Sequence, residues 1–225
     1  MNHRPQTLTT RRLTTAYYRA GEGNGRRLLL IHGNVSSGAF YLPLFDQLSQ
    51  QFDVIAPDLR CFGGSSALPV DAVRGFRDWT EDLAEFTAAL GWDRFALAGW
   101  SMGGCVAMQY AMDHGEQLTG LILINPGSPY GFGGTKGEGG VMLEPPGLAS
   151  GGGCVNAQLV QSLLSGEREF LRATLNSVYF KPPFRMDSQW EERLIDEMLK
   201  TKVGDGMYPG DPRQVPQWPF VAAGD

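Results

Sequence analysis

Ser101 stands in Gly99-Trp100-Ser101-Met102-Gly103, a G-x-S-x-G pattern directly after the apolar run Phe95-Ala96-Leu97-Ala98. A serine hydroxyl is a weak nucleophile until it is presented clear of its neighbours and close to stabilising charge. A sharp turn between a strand and a helix does both, lifting the side chain off the sheet and setting it at the positive end of a helix dipole. The spacing predicts a strand ending at Ala98 or Gly99, a helix from Met102 through Met112, and Ser101 on the turn between them. Glycines on both flanks suit such a turn, where a Cβ would collide with the adjoining strand or helix. Gly104, Cys105 and Ala107 extend the small-residue surface along the helix. G-x-S-x-G also arises by chance in glycine-rich chains, and this one has 30 glycines. The strand-turn-helix setting separates the motif from coincidence, and the chemistry it implies is nucleophilic attack through a covalent intermediate.

The elements around Ser101 follow from apolar periodicity. Leu13 to Arg19 reads as an early strand closed by the turn Gly21-Glu22-Gly23-Asn24-Gly25. Leu28-Leu29-Leu30-Ile31 is a continuous apolar run, as in a central parallel strand covered on both faces, and it stops at His32-Gly33-Asn34. A helix is expected after Ser37, with Phe40, Leu44 and Leu48 on its inner face and Pro43 in its first turn. Asp53-Val54-Ile55-Ala56 is the next strand, ended by Pro57-Asp58. An amphipathic helix carrying Trp79, Leu83, Phe86 and Leu90 precedes the strand Arg94–Ala98. Leu121-Ile122-Leu123-Ile124 reads as a further buried strand, ended by Asn125-Pro126-Gly127. Strands alternating with helices predict an α/β fold with a doubly wound, mostly parallel sheet. Ligands of such sheets bind at the carboxyl ends of the strands, where His32, Asp58, Ser101 and Asn125 all fall.

Beyond Gly127 the rhythm changes. Residues 127–153 are dominated by glycine and read as a flap over the site. Two helices are expected after it. One carries Leu159, Leu163 and Leu164. The other opens with a capping box at Ser188 and Glu191 and shows Trp190, Leu194 and Met198 at helical spacing. The domain division expected is a core over 1–127, a helical, Gly-rich cap over 128–218, and the start of a returning core at 219–225.

Composition bounds the function classes. The chain has 225 residues and a formal net charge of −5, which disfavours a nucleic-acid surface. No stretch is long and apolar enough to span a bilayer, and Met1 to Arg12 lacks the apolar segment of a secretory signal. Cys61, Cys105 and Cys154 have no metal-type spacing and read as free thiols of a cytoplasmic protein. Neither a metal nor a cofactor is expected, and a small ester-like molecule is the expected partner.

The motifs His32-Gly33-Asn34, Pro57-Asp58-Leu59-Arg60-Cys61-Phe62-Gly63-Gly64-Ser65 and Gly99-Trp100-Ser101-Met102-Gly103-Gly104 resemble, in order and spacing, the α/β-hydrolase superfamily. Within it they resemble the serine esterase and bromoperoxidase-like branch with a cap, and the resemblance covers roughly residues 13–127. It implies that Ser101 is the nucleophile, with the backbone N–H groups of Asn34 and Met102 as the oxyanion hole. The N–H of Val35 is the alternative second donor. It implies further that His32 supports the oxyanion loop and is not the base, and that Asp58 ties the neighbouring loop together. Phe40, Phe62, Trp100 and Tyr130 are candidate pocket residues, each equally readable as core. Cys61 departs from the glycine usual at its place in the family.

The superfamily orders its triad as serine, acid, histidine. The histidines here are His3, His32 and His114, and none follows His114. The expectation is therefore an N-terminal part of a longer hydrolase, with a C-terminal segment or a second chain supplying acid and histidine. The chemistry expected is cleavage of carboxylic esters of small to medium, mainly apolar substrates. Alternatives on the same scaffold are lactone, thioester, amide or carbon–carbon bond hydrolysis, or non-catalytic binding of a small molecule.

Overall fold

Four apolar runs of the sequence become the parallel heart of a six-stranded sheet. The computed structural model describes residues 3–71, 74–127, 135–136, 141–142, 157–204 and 206–208. The strands are β1 (Gln6–Thr9), β2 (Thr14–Ala20), β3 (Arg27–Ile31), β4 (Asp53–Pro57), β5 (Phe95–Trp100) and β6 (Leu118–Ile124), ordered β1-β2-β4-β3-β5-β6. β1 and β2 form an antiparallel hairpin, and β2 pairs antiparallel with β4. β3, β4, β5 and β6 run parallel. The hairpin strand β1 lies in a segment too polar to be recognised from its sequence.

The period-two alternation of strands feeds two cores. Leu29, Ile31, Ile55 and Leu97 face one side, packing with Trp79, Leu83 and Phe86 of α2 (Arg77–Ala89) and Val106, Ala107 and Tyr110 of α3 (Met102–His114). Leu28, Leu30, Val54, Ala56 and Ala98 face the other side, against Tyr41 and against Leu42 and Phe45 of α1 (Leu42–Leu48). A 3-10 turn over Gly38–Tyr41 precedes α1, with Pro43 in its first turn as anticipated. That turn shifts the helix phase. The buried residues are Leu42 and Phe45, whereas Leu44, expected inside, is 49% exposed.

β6 also departs from expectation. It was read as buried, yet Leu121, Ile122, Leu123 and Ile124 are 39–50% exposed. β5 is its sole strand partner among the described residues, so it forms a sheet edge. An apolar run marks a strand made to be covered, but its composition cannot say what covers it.

After β6 come the short pair β7 (Thr135–Lys136) and β8 (Val141–Met142), then α4 (Ala157–Ser165), α5 (Arg168–Thr174) and α6 (Ser188–Leu199). Leu159 and Leu163 of α4 are buried, and Leu164 is exposed. α5 runs into a single π-turn over Leu175–Tyr179, closed by the Phe180 N–H donating to the Leu175 carbonyl at 3.0 Å. The cap of α6 is Asp187, not Ser188. Its carboxylate accepts from the N–H groups of Gln189 and Trp190. Glu191, expected to close a capping box, instead accepts from Arg172 and Asn176.

Candidate active site

The chain turns from β3 to β4 on one side and then crosses to β5 on the other, so the order of winding reverses between β3 and β5. Such a switch point opens a crevice at the carboxyl ends of the two strands. The segments leaving those ends are His32-Gly33-Asn34 and Ser101.

Ser101 sits at φ 55°, ψ −121°, between β5 and α3. A side chain at positive φ costs free energy and persists only where the surroundings over-determine it. Here the backbone is tied down on all sides. The Ser101 N–H donates to the Ile124 carbonyl at 3.0 Å, and its own carbonyl accepts from the Gly104 N–H at 2.9 Å. α3 lies on the ends of β3, because a Cβ on Gly103 would stand 2.3 Å from the His32 carbonyl oxygen. Ser101 is half-buried, and no residue among those described hydrogen-bonds its hydroxyl. The N–H of Met102, at the first position of α3, lies in the turn whose donors have no intrahelical acceptor.

The loop after β3 is held from the core by His32. The Leu59 N–H donates to His32 Nε2 at 2.9 Å, so Nδ1 carries the ring proton and donates to the Gly33 carbonyl at 2.8 Å. Ser36 Oγ donates to the same carbonyl at 2.7 Å. Carbonyl and N–H of one trans peptide point opposite ways. Anchoring the Gly33 carbonyl on the core side therefore turns the Asn34 N–H outward, and it has no acceptor among the described residues. His32 is fully buried, and desolvation pushes its pKa down to about 4, keeping it neutral. A neutral ring with both nitrogens engaged is a support, not a base.

Asp58 ties the next loop, as anticipated. Its carboxylate accepts from the N–H groups of Gly38 at 2.7 Å and Gly64 at 2.8 Å. Burial raises its pKa to about 6, with the two N–H donors opposing the shift. Cys61, the departure noted in the sequence, takes φ 71°, the backbone conformation for which glycine is favoured. Its thiol donates to the Leu68 carbonyl at 3.0 Å.

The other candidate residues divide. The rings of Phe40 and Trp100 stack at 6.0 Å, and Tyr179 meets the Trp100 ring edge-on at 5.3 Å. Phe62 has no exposed surface and is packed against His32 and Tyr208 in the core. Tyr130 lies outside the described residues. His114 ends α3, and His3 rests on Asp46 and Phe45. No hydrogen bond joins any of the three histidines to Ser101. Sequence reasoning missed Tyr179, Tyr208 and Glu197, which reach the 34–37 loop from distant parts of the chain. No local pattern marks them.

A surface cavity of about 710 Å³ lies between α5, the π-turn and α6, lined in part by Arg172, Asn176, Arg185 and Glu191. Its lining includes neither Ser101 nor the 32–38 loop, and the switch-point geometry, not cavity size, marks the candidate site.

Several known proteins are similar to this chain in sequence or fold. A methyl ester esterase acting on pimeloyl-[acyl-carrier protein], from Aliivibrio salmonicida, is 35% identical over 112 residues, covering 50% of this chain and 40% of that protein. Fluoroacetate dehalogenase from a Burkholderia species is 35% identical over 109 residues, covering 46% of this chain and 35% of that protein. Epoxide hydrolase 3 from Xenopus tropicalis is 31% identical over 121 residues, covering 52% and 32%. The matches thus span less than half the length of these relatives. Among solved structures, the epoxide hydrolase CorEH superposes with a TM-score of 0.68 at 23% identity, covering 98% of this chain and 74% of that one. The N-acyl homoserine lactonase AidH gives a TM-score of 0.62 at 24% identity, covering 90% and 65%. At these identities the superpositions speak for the fold alone. A family model described as alpha/beta hydrolase fold matches residues 26–149, more than half of the sequence, and the chain belongs to that family.

Proposed function

We propose that this protein is a serine hydrolase that cleaves carboxylic esters through an acyl-enzyme on Ser101. The observation that carries the reading is Ser101 itself, a half-buried serine held at φ 55° on a strand-to-helix turn with no partner for its hydroxyl among the described residues. In this reading the Ser101 oxygen attacks the ester carbonyl carbon, and the carbonyl oxygen takes the electron pair. The N–H groups of Asn34 and Met102 stabilise that oxyanion, the alkoxide departs with a proton, and water then releases the acid. The base that takes the serine proton is assigned to a further segment or a second chain, since none of the three histidines hydrogen-bonds Ser101. Phe40 and Trp100 supply an aromatic wall, which favours an apolar, uncharged substrate.

The fold and the esterase relative support this reading over non-catalytic binding, as does the strained turn, which a mere binding module has no need to keep. Lactone, thioester and amide hydrolysis would use the same attack and differ only in the leaving group. The experiment is labelling of the full-length protein with a fluorophosphonate probe, beside turnover of a panel of apolar esters and lactones. Labelling and turnover that both vanish in Ser101→Ala are expected. Turnover that survives Ser101→Ala overturns the assignment.

A further inference from the structure

Three side chains from the C-terminal part of the chain converge on the loop that carries the Asn34 N–H. The Tyr179 hydroxyl donates to the Asn34 carbonyl at 2.7 Å, and the Tyr208 hydroxyl donates to Asn34 Oδ1. Glu197 accepts from the Ser37 hydroxyl. Tyr179 ends the π-turn with its ring against Trp100 and Phe40. Tyr208 is 1% exposed, its ring packed among Phe62 and Trp79 so that its hydroxyl reaches a fixed point.

The two peptide planes flanking Asn34 are thereby held from opposite sides. The Gly33–Asn34 plane is anchored by His32 and Ser36 from the core, and the Asn34–Val35 plane by Tyr179 from the segment after β6. Tyr208 fixes the side chain between them. With both carbonyls held, rotation about the Asn34 φ and ψ is restricted, and the N–H groups of Asn34 and Val35 are the groups of these two planes left without an acceptor among the described residues. Val35 is itself buried in the core, so what the two tyrosines add is the setting of the Asn34 carbonyl and side chain between two anchored neighbours.

We propose that Tyr179 and Tyr208 are positioning residues, which align the Asn34 N–H with the oxyanion and make the activity of the site depend on the docking of the 175–208 segment. The proposal rests on the reading of Ser101 as nucleophile with Asn34 in the oxyanion hole. Neither tyrosine exchanges a proton with substrate; each acts through Asn34.

The test uses full-length protein carrying Tyr179→Phe, Tyr208→Phe, Asn34→Ala and the Asn34→Ala/Tyr208→Phe pair. Steady-state kinetics on an apolar ester are read beside the rate of fluorophosphonate labelling and the urea denaturation midpoint. Each phenylalanine variant is expected to lower kcat by about ten- to a hundredfold, with KM within about twofold of the parent, because a misaligned donor fails the transition state more than the bound substrate. The labelling rate should fall in parallel. The pair should be no slower than the slower single variant, as for two residues acting through one contact. Unchanged kcat in both phenylalanine variants, while the parent still labels at Ser101, overturns the positioning role and leaves the nucleophile standing. A raised KM with unchanged kcat means direct substrate contact and also overturns it. A parent that turns over ester without labelling at Ser101 removes the nucleophile reading and this proposal with it. If Tyr208→Phe fails to fold, Tyr179→Phe alone decides between these outcomes.

Discussion

Ser37 and Glu197 lie 160 residues apart in the chain and are joined by a hydrogen bond of 2.8 Å from hydroxyl to carboxylate. Both are buried, Ser37 completely, and Lys200 Nζ stands 2.6 Å from the other carboxylate oxygen. Ser37 Oγ also accepts from the Ala39 N–H at 3.2 Å. Glu197→Ala would leave a buried hydroxyl donor unmatched, and the expected loss is about 2–3 kcal/mol of unfolding free energy. Glu197→Gln keeps an acceptor and should cost less, about 1 kcal/mol. Urea denaturation of the three proteins at neutral pH checks the ranking. Equal losses in both variants would refute the role of the hydrogen bond.

Close backbone contact at Gly103 and Gly33 makes two alanine substitutions differ in kind. A Cβ on Gly103 would meet main-chain oxygens of Ile31 and His32 at 2.4 and 2.3 Å, and main chain cannot step aside. Gly103→Ala should therefore prevent recovery of folded protein. A Cβ on Gly33 would stand 2.9 Å from the Trp100 ring and 3.2 Å from Ser101 Cβ, so a side chain must give by a few tenths of an ångström. Gly33→Ala should fold, lose about 1–3 kcal/mol as overpacked sites do, and lower kcat by about a hundredfold through the displaced loop. Soluble yield and circular dichroism read the first, kinetics the second.

His32 and Asp58 act on stability in opposite directions over nearly the same pH range. The folded pKa of His32 lies at about 4, below its unfolded 6.5, so its contribution is full above pH 6.5 and is lost as pH falls towards 4. The folded pKa of Asp58 lies at about 6, above its unfolded 3.8, so its contribution is full below pH 3.8 and is lost as pH rises through 6. Each shift corresponds to about 3 kcal/mol, and the two nearly cancel. In urea titrations from pH 4 to 7, the stability advantage of the parent over His32→Gln should shrink as pH falls. Its advantage over Asp58→Asn should grow. A pH-independent difference in either case contradicts the corresponding assignment.

Cys61 offers a test of backbone strain against packing. Replacing it with glycine relieves a left-handed residue by about 1–2 kcal/mol and removes a fully buried side chain worth a similar amount, so Cys61→Gly should be nearly neutral. Cys61→Val adds a β-branch at positive φ and should cost about 3 kcal/mol or more. Thermal melts compare the three. Burial pushes the Cys61 thiol pKa up, and that of Cys105 to about 11, so neither should react with an aromatic disulfide reagent in the native state.

The parallel strands and the elbow were legible because each is written locally. Leu28–Ile31 and Phe95–Ala98 are short apolar runs with clear ends, and the Ser101 turn needs glycines at fixed offsets. The supports of the 32–38 loop were only half legible. Asp58 announces itself through its family motif, whereas Tyr179, Tyr208 and Glu197 act across more than 140 residues with no local pattern to mark them. The phase of α1 was misread because a 3-10 turn precedes it, which periodicity counted at 3.6 residues does not register. At α6 the sequence pattern placed the cap at Ser188, and Asp187, one position earlier, is the residue whose carboxylate accepts the free N–H groups.

The π-turn at Leu175–Tyr179 holds one residue more than regular winding would place there. The wider turn absorbs that residue, so excising it narrows the turn and shifts the point from which the Tyr179 phenol reaches Asn34. Length is thus a sensitive variable of this stretch, beside the identity of Tyr179. On the proposed positioning role, natural indels here would act as coarse adjustments of reactivity, while conservative point changes that spare Tyr179 would pass with little effect.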